Sequence, residues 1–468
     1  MLRRERALVA AAEIGRRIGP SRVLTDEELV ASYAGDESEV PPVIPAAVVR
    51  AETSDDVVAT LEVASQHEVP VTPRGAGTGK SGGAIPDHGG LVLATQRIAR
   101  LKQIDRANRI AIVEPGMITG ELHAAVEAEG LFYPPDPNSL ESCALGGNVA
   151  ENAGGPRAFK YGVTREYVLG LEAVLMGGQR LSVGRRTVKG VTGYDLTALF
   201  VGSEGTLAVF TELWLRLVPR PPRTATALAL FSDAAAAGRA VAAIVAAGLT
   251  PSVLELLDEE SLAAIRARGA VPVPARATAL LLIEVDGEAE LVELELERAA
   301  EACEAAGAVE VLVAQEASQR RALWAARREL SRSLKAAHLH KIAEDIVVPR
   351  TAVPEMIART REIGRAHGLV VATYGHAGDG NLHSNFLWDD PSLSPEVERA
   401  VEELMRLAVE MGGTLSGEHG IGLQKAPFLA YEQSPQLIDL QRQVKAVFDP
   451  KGLLNPGKIF GRSGHGAC

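Results

Sequence analysis

The sequence predicts an α+β protein with more than one domain, and three observations support this prediction. The chain has 468 residues, which is too long for one ordinary hydrophobic core. Its first half joins short apolar runs through three glycine-rich segments, a pattern typical of short strands and exposed turns. From about residue 225 to residue 360, long Ala/Glu/Leu/Arg helices alternate with β runs such as ALLLIEV, which indicates an antiparallel sheet covered on one side by helices.

Composition and charge exclude several classes of protein. Hydrophobic residues make up 46% of the chain and charged residues 23%, as in a folded globular protein. The net charge is -12 and no block of Lys and Arg offsets it, which argues against nucleic-acid binding. Cys143, Cys303 and Cys468 lie far apart, which excludes a disulfide framework and an internal iron–sulfur cluster and is typical of free thiols in a reducing cytoplasm.

The amino-terminal stretch MLRRERALVAAAEIGRRIGP is predicted to form an amphipathic helix, because Glu13, Arg16 and Arg17 interrupt its apolar run. The Ala-rich run from Asp233 to Leu249 contains Arg239 and is too short to span a bilayer. The sequence therefore predicts no transmembrane segment and a cytoplasmic location, with any membrane contact peripheral and at the inner face.

A strand–helix–strand unit is predicted before the first glycine-rich segment. AVVRA is a strand candidate, and Ser54–His67 has helical periodicity with Thr53 or Ser54 as its cap. Val69–Pro73 is the second strand candidate, and it leads into RGAGTGKSGGAIP at Arg74–Pro86. Further along, the sequence RPPR at residues 220–223 predicts a domain boundary.

The glycine-rich segments indicate phosphate binding. RGAGTGKSGG has five glycines in ten residues, and such a loop can expose backbone N–H groups to phosphate oxygens. One loop alone is better explained by a set of tight turns, but two more such segments follow at Leu145–Gly155 and Val201–Phe210, and three of them favour phosphate binding. An NTPase P-loop would need glycine in place of Arg74, and a dinucleotide fingerprint would need glycine in place of Lys80, so neither pattern fits.

Two histidines in VVATYGHAGDGNLHSNFLW are candidate metal ligands. Asp379 and Gly380 predict a two-residue hairpin turn, which would place His376 directly opposite His383 with Cβ atoms ~4.5–5.5 Å apart and Asn385 on the same face. Imidazoles in that position can share a divalent metal, or they can stack or face solvent.

The segment SGEHGIG adds a carboxylate beside a histidine in a bend flanked by glycines. Two histidines and one glutamate form a catalytic zinc or manganese set that leaves room for substrate. The sequence therefore favours a metal site over an isolated histidine pair.

Several strings in order resemble one family: PRGAGTGKSGGAIP, GGNVAENAGG, KYGV and TGYDLTALFVGSEGTL. They are similar to the FAD-binding domain of the vanillyl-alcohol oxidase/p-cresol methylhydroxylase superfamily. The closer resemblance is to its branch of glycolate oxidase catalytic subunits, D-lactate dehydrogenases and D-2-hydroxyglutarate dehydrogenases, and it covers about Tyr33 to Phe460. It implies an N-terminal helical segment at 1–35, a two-subdomain FAD-binding domain at 36–220, a substrate or cap domain at 221–415 and a C-terminal segment at 416–468 that returns to the FAD site.

The same resemblance implies the residues that bind FAD. It assigns the pyrophosphate to the first loop, the flavin and ribityl region to a second set, the adenosine half to a third set, and a return contact with the flavin to one C-terminal residue. The first loop contains no His or Cys for a covalent tether, so non-covalent FAD is expected. The four sets are Pro73, Arg74, Gly75, Ala76, Gly77, Thr78, Gly79, Ser81 and Gly82; Pro137, Ser139, Gly146, Gly147, Asn148, Asn152, Ala153, Gly154 and Gly155; Glu204, Gly205 and Leu207; and Asn455.

The resemblance also implies roles for the GHxGDGNxH and GEHG motifs. His376, His383 and Glu418 would be ligands of a divalent metal, with zinc expected first and manganese or iron as alternatives. His419 would be the general base. Arg327, in the helical string LWAARREL, would receive the substrate carboxylate with Lys341 assisting, whereas the alternative for Arg327 is a solvated helix face.

The expected reaction is oxidation of a small D-2-hydroxy acid to the 2-oxo acid by hydride transfer to flavin N5. The expected electron acceptor is a quinone, an electron-transfer flavoprotein or a separate iron–sulfur subunit, and a homodimer is an expected assembly. Three alternatives remain open: an oxidase that reduces O₂, a metal-dependent hydrolase without flavin, and a non-catalytic FAD-carrying subunit.

Overall fold

The computed structural model of the protein describes residues 3–268, 273–314 and 316–461. The chain divides into two compact units. Unit 1 contains residues 1–153, 163–220 and 418–468, and unit 2 contains residues 154–162 and 221–417. Helices and strands are mixed in both units, so the predicted α+β class is confirmed.

The strands and helices are numbered in chain order. The strands are β1 Val23–Leu24, β2 Ala47–Arg50, β3 Val71–Arg74, β4 Leu91–Ala94, β5 Leu101–Asp105, β6 Ile110–Val113, β7 Leu131–Phe132, β8 Val168–Val174, β9 Arg180–Gly184, β10 Val209–Arg216, β11 Val218–Pro219, β12 Arg223–Phe231, β13 Val253–Leu257, β14 Ala279–Gly287, β15 Glu310–Val313, β16 His340–Val347, β17 Val370–His376 and β18 Asn381–Trp388. The α-helices are α1 Arg3–Ile18, α2 Glu27–Ala31, α3 Ser54–Gln66, α4 Thr119–Ala128, α5 Leu145–Glu151, α6 Ala158–Tyr161, α7 Leu196–Phe200, α8 Ala234–Ala246, α9 Glu259–Arg268, α10 Ala289–Ala305, α11 Ala317–Ala337, α12 Val353–Ala366, α13 Ser394–Glu410, α14 Leu429–Glu432 and α15 Pro435–Phe448. Short 3₁₀ helices occupy Pro20–Arg22, Thr164–Tyr167, Arg350–Ala352, Pro391–Leu393 and Ala426–Phe428.

Unit 1 is built on two main sheets. One has the strand order β1-β2-β4-β3, in which β2, β4 and β3 are parallel and β1 is antiparallel. The other is an antiparallel sheet with the order β5-β6-β10-β8-β9. The chain returns to the first sheet late, because Leu454 bridges to Val71 of β3 and the N–H of Asn455 donates to the Val71 carbonyl.

Helix α3 confirms the predicted strand–helix–strand unit. Thr53 caps it, since its side chain accepts from the N–H of Asp56 while the Asp56 carboxylate accepts from the Thr53 N–H. Val57 and Leu61 of α3 are buried in one core with Leu93 of β4. This helix therefore packs against the parallel sheet whose strand β3 leads into the first glycine-rich segment.

The second glycine-rich segment was expected to be a loop, but the structure contains helix α5 there, at Leu145–Glu151. Leu145 and Val149, four residues apart on one face, are completely buried, and this burial stabilises a helix that contains two glycines. The helix ends at Asn152, whose φ of 57° is left-handed.

Unit 2 is built on an antiparallel seven-stranded sheet with the order β15-β12-β14-β13-β17-β18-β16. Helices cover both of its faces, so the expectation of helices on one side is wrong. Leu228 and Leu230 of β12 pack with α9 and α11, whereas Ala227 packs with Val292 and Leu296 of α10. The run ALLLIEV in β14 is buried along its whole length, which is the pattern of a strand covered on both sides.

No helix in the part of the chain that the structure describes is long and apolar enough to cross a membrane.

Candidate active site

The loop that follows β3 in unit 1 presents a row of open amides. Within the described part of the chain, no hydrogen-bond acceptor is found for the N–H groups of residues 75–83. Amides in a partly buried loop need acceptors, and consecutive open amides form a concave site for an anion. The segment predicted to bind a pyrophosphate therefore has the donors that such a group requires.

Arg74 supports this loop from the inside. Its guanidinium is largely buried, donates to the Gly35 carbonyl at 2.6 Å and lies 5.7 Å from the centre of the Tyr33 ring. Burial lowers the pKa of Arg74, and the nearby Asp36 carboxylate opposes that shift. Gly77 has a φ of +76°, and a Cβ at this position would clash with the Arg74 guanidinium. The shape of the loop thus depends on glycine at residue 77.

The first loop and helix α5 are neighbours. A Cβ at Gly75 would lie 3.6 Å from the Gly147 nitrogen, while a Cβ at Gly147 would meet nothing within 4 Å. Gly147 therefore faces open space beside the amide row. The side chain of Asn148, by contrast, donates to Thr119 Oγ1 at 2.7 Å and is buried.

The other residues predicted for FAD lie around these two segments. The Pro137 carbonyl accepts from the Leu140 N–H, and the Ser139 carbonyl accepts from the Ser142 N–H, so both belong to the turn before α5. Asn152 Oδ1 accepts from the Arg165 N–H at 2.8 Å. Ala153 ends the first segment of unit 1, whereas Gly154 and Gly155 belong to the short first segment of unit 2.

Hydrogen bonds connect the C-terminal residues 420–460 to the glycine-rich segments within unit 1. The Glu204 carboxylate accepts from the N–H groups of Ile421 at 2.8 Å and Gly422 at 2.6 Å. Asn455 Nδ2 donates to the carbonyls of Gly83 at 3.0 Å and Glu204 at 2.8 Å. Burial raises the pKa of Glu204, and its two backbone donors oppose that shift. The side chains of Glu204 and Asn455 therefore connect the first glycine-rich loop, the third glycine-rich segment and the C-terminal residues 421–455.

The histidine hairpin of unit 2 differs from the predicted one. His383 pairs with Tyr374, not with His376, and the connection is a four-residue loop at 377–380. The N–H of Gly378 donates to the Leu254 carbonyl of β13, which draws the chain away from β18 before the turn. The register shifts by two residues, and since side chains alternate with a period of two, both histidines still share one face. Their rings are perpendicular, with centroids 5.3 Å apart.

Each of these imidazoles has a buried carboxylate behind it. Glu255 of β13 pairs with His376, and its Oε1 forms a hydrogen bond with His376 Nδ1. Asp345 of β16 pairs with His383, and its Oδ1 lies 3.8 Å from His383 Nδ1. The hydrogen bond at Nδ1 orients the His376 ring so that Nε2 is its candidate ligand atom, whereas 3.8 Å is too long for a hydrogen bond and makes Asp345 a charged neighbour of His383. Burial alone would raise the pKa of Glu255, but Arg327 and His376 outweigh it and lower this pKa to about 2.

Arg327 and Lys341 lie against the same face of the sheet. Arg327 is buried, so the alternative of a solvated helix face is wrong. Its Nε donates to Glu255 Oε2 at 2.6 Å, whereas its terminal nitrogens make no hydrogen bond to any residue that the structure describes. Lys341 Nζ donates to Ser331 Oγ and Asn385 Oδ1, both at 3.2 Å. Two cationic groups are thus held close to the strands that carry the histidines.

Asp345 also fixes the start of the GEHG motif at residues 417–420. Its Oδ2 accepts from the Gly417 N–H at 2.9 Å and from Ser416 Oγ at 3.1 Å. Gly417 is the last residue of unit 2, so Glu418 and His419 follow it by one and two peptide bonds.

Comparison with known proteins identifies the family. Residues 45–184 match the FAD binding domain, and residues 220–459 match the C-terminal domain of FAD linked oxidases. The chain belongs to the FAD-linked oxidases.

Relatives of this FAD-linked oxidase span nearly its whole length. The glycolate oxidase subunit GlcD of Bacillus subtilis is 42% identical over 432 residues, covering 92% of each chain. The D-lactate dehydrogenase of Archaeoglobus fulgidus is 37% identical over 90% of this chain and 94% of its own. The structure of p-cresol methylhydroxylase has a TM-score of 0.81 at 16% identity, covers 99% of this chain and 98% of its own, and shows the shared fold. The chain is an FAD-dependent oxidoreductase.

The residues of the first loop fit the FAD that this FAD-linked oxidase requires. The open amides of residues 75–83 suit a pyrophosphate, and the Arg74 cation beneath them favours an anion. Replacing Gly77 with alanine is expected to reduce the bound FAD per chain at least tenfold, because the methyl group would clash with Arg74 at a strained φ. The ratio of flavin to protein absorbance after purification measures this loss.

Gly130 provides the matched control for this prediction. It has a φ of +71°, but a Cβ there would meet nothing within 4 Å. Gly130→Ala therefore carries the backbone strain without the clash, and it should retain FAD. A Gly77→Ala protein that binds FAD as tightly as the wild type would contradict the prediction.

Sequence reasoning missed Glu255 and Asp345, the carboxylates behind the two histidines. A signal for Glu255 was present, since it is the single charged residue in the apolar run VLELL. A carboxylate in a strand buried along its whole length costs free energy unless it is paired, so its presence indicates a partner. The sequence does not reveal which distant residue that partner is.

Proposed function

We propose that this FAD-linked oxidase converts a small D-2-hydroxy acid into the 2-oxo acid. The relatives named for glycolate and D-lactate support this substrate class. Bound FAD would supply the hydride acceptor, flavin N5. In this proposal residues 36–220 bind FAD, residues 221–415 form the substrate domain, residues 1–35 form an N-terminal helical segment, and residues 416–468 return to the FAD site.

The single observation that carries the proposal is the pair of carboxylate-backed imidazoles in unit 2. A carboxylate hydrogen-bonded at Nδ1, as Glu255 is to His376, is typical of a metal-ligating histidine because it makes Nε2 a better electron-pair donor, and Asp345 adds a buried carboxylate 3.8 Å from His383 Nδ1. His376, His383 and Glu418 form a group that could hold a metal ion, and we assign them to a divalent cation, zinc before manganese or iron. Such an ion would polarise the substrate hydroxyl as a Lewis acid.

Arg327 and Lys341 are proposed to hold the substrate carboxylate. The Nε of Arg327 is engaged by Glu255, which leaves the two terminal nitrogens for a bidentate contact with a carboxylate. Lys341 adds a second positive charge and is kept in place by Ser331 and Asn385. These contacts would orient the hydroxyl-bearing carbon next to the two imidazoles.

His419 is proposed to act as the general base. It follows the proposed ligand Glu418 directly in the GEHG motif, and an imidazole is the side chain that most often accepts a proton in catalysis near neutral pH. The imidazole accepts the hydroxyl proton while the Cα hydrogen leaves with its electron pair as hydride, which yields the carbonyl of the 2-oxo acid.

A dye-reduction screen tests this function. Purified protein is mixed with D- and L-lactate, glycolate, and D- and L-2-hydroxyglutarate, with and without a chelator, and reduction of an artificial acceptor is recorded. We expect reduction with one D acid or with glycolate, loss of reduction after chelation, and recovery after zinc or manganese is added. No dye reduction by yellow, metal-supplied protein with any of these acids would overturn the proposal.

The electrons are proposed to pass to a separate acceptor: a quinone, an electron-transfer flavoprotein or an iron–sulfur subunit. The word subunit in the name of the Bacillus subtilis relative supports a protein partner. Cys143 and Cys303 are buried and far apart in the sequence, and Cys468 lies outside the described residues. Stopped-flow reoxidation in air separates this proposal from an O₂-using oxidase, which would reoxidise its flavin at least as fast as it turns over.

A further inference from the structure

We propose that Glu255 is a positioning residue that couples the metal ligand His376 to the carboxylate clamp Arg327. This inference rests on the proposed function, which makes His376 a ligand and Arg327 a clamp. In this inference one buried carboxylate orients both the histidine that binds the metal and the arginine that binds the substrate carboxylate.

Glu255 uses its two oxygens for two different partners. Oε1 forms a hydrogen bond with His376 Nδ1, and Oε2 accepts from Arg327 Nε at 2.6 Å. Glu255 is 0% exposed, His376 is 4% exposed and Arg327 is 5% exposed. Since solvent barely reaches the three side chains, neither partner can be replaced by water without a change in the protein.

The strand register places Glu255 at this position. It lies on β13, in the interior of the seven-stranded sheet, and pairs with His376 of β17. Arg327 approaches from α11, and its guanidinium lies 4.8 Å from the centre of the Tyr374 ring, which in turn lies 5.5 Å from the His383 ring. A shift of Glu255 would therefore be transmitted to both the histidine and the arginine.

Stability does not explain a carboxylate at this point. A buried ion pair is often less stabilising than apolar residues of the same volume, because two charges must be removed from water. The neighbouring residues of β13 are leucines, so an apolar residue would fit the local pattern. The need to orient His376 and Arg327 therefore explains the Glu255 carboxylate better than a contribution to folding stability does.

The contact has two consequences for the proposed reaction. The carboxylate holds the Nδ1–H form of His376, which presents Nε2 as the ligand atom. It also holds Arg327 through Nε alone, which leaves both terminal nitrogens for the substrate. One carboxylate thus sets the metal affinity and the substrate affinity together.

Asp345 provides a matched control because it backs a histidine but not the arginine. It lies 3.8 Å from His383 Nδ1, and its hydrogen-bond partners include Asn381, Ser416 and Gly417. Asp345→Asn should therefore weaken metal binding without disturbing Arg327. Glu255→Gln should weaken both functions, since glutamine replaces one of the two accepting oxygens with an NH2 group, which cannot accept a hydrogen bond from the partner on that side.

The experiment measures metal affinity and substrate affinity separately. Zn²⁺ and Mn²⁺ are titrated into metal-stripped protein by calorimetry, and KM and kcat for the acid found in the screen are measured at saturating metal. We expect metal affinity to fall ~10- to 100-fold in both variants. We expect KM to rise at least tenfold in Glu255→Gln only, and flavin content and the circular dichroism spectrum to match the wild type.

A third readout needs neither metal nor turnover. The ¹⁵N shifts of labelled histidines, with His376 assigned through His376→Asn, should show the Nδ1–H form in the metal-free wild type and a mixture in Glu255→Gln. If Glu255→Gln does not fold, Glu255→Asp, which is one methylene shorter and cannot reach both partners, replaces it.

The inference is overturned if the Glu255 variant keeps the wild-type metal affinity, KM and His376 form. A wild type that neither binds metal nor oxidises any 2-hydroxy acid would refute the proposed function, while the histidine shifts would still decide whether Glu255 orients His376.

Discussion

His419→Ala is expected to lower kcat for oxidation of the 2-hydroxy acid by ~10²- to 10⁴-fold, the usual contribution of a general base. The protein should remain yellow, because the amides of residues 75–83 that suit the pyrophosphate are not altered by this change. Steady-state dye reduction at saturating substrate measures kcat, and the visible spectrum measures the retained flavin. The loss should be smaller at high pH, where hydroxide can replace the missing base.

His367→Ala is the matched control for this variant. His367 caps the C-terminus of α12, and its ring nitrogens contact the carboxylates of Glu396 at 2.8 Å and Glu403 at 3.2 Å. Turnover of this control should match the wild type. Full activity in His419→Ala would contradict the proposal that His419 is the base, and another group would then have to accept the proton.

Removal of the metal is expected to cause the second large loss. His383→Ala, or prolonged dialysis against a chelator, should lower kcat/KM ~10²- to 10⁴-fold, since a Lewis acid supplies several kcal/mol of charge stabilisation. Zinc or manganese should restore the dialysed wild type but not the variant. Metal content by mass spectrometry, flavin content by absorbance and dye reduction are measured on the same samples.

His340→Ala tests whether the loss is specific to the paired histidines. His340 lies on β16 of the same sheet, but its ring stacks on Trp388 with centroids 5.3 Å apart, away from His376 and His383. This control should keep both metal and activity. Equal metal content in His383→Ala and the wild type would exclude His383 as a ligand.

Local signals in the sequence predicted local structure well. Helix α3 was predicted from its periodicity and from Thr53, and the structure confirms the helix and its cap. Such features depend on residues three or four positions apart, so one sequence contains all the information that fixes them. The row of glycines at 75–83 is a feature of the same kind.

Features that depend on distant segments could not be predicted. Glu255 and His376 are 121 residues apart in the chain, and only the order of β13 and β17 in the sheet brings them together. The hairpin register was predicted wrongly for the same reason, because the N–H of Gly378 is bound by the Leu254 carbonyl of another strand. Helix α5 was missed because burial of Leu145 and Val149 outweighs the cost of its glycines.

The interrupted path of unit 1 has a consequence for biosynthesis. One segment of unit 1 ends at residue 220, and the next begins at residue 418. In this last segment Leu454 and Asn455 complete the contacts with β3. A ribosome must therefore translate all of residues 221–417 before the first sheet gains its last neighbour. All seven strands of the unit 2 sheet lie in residues 221–417, so they can pair before residues 454 and 455, which complete the contacts of the first sheet, have been synthesised.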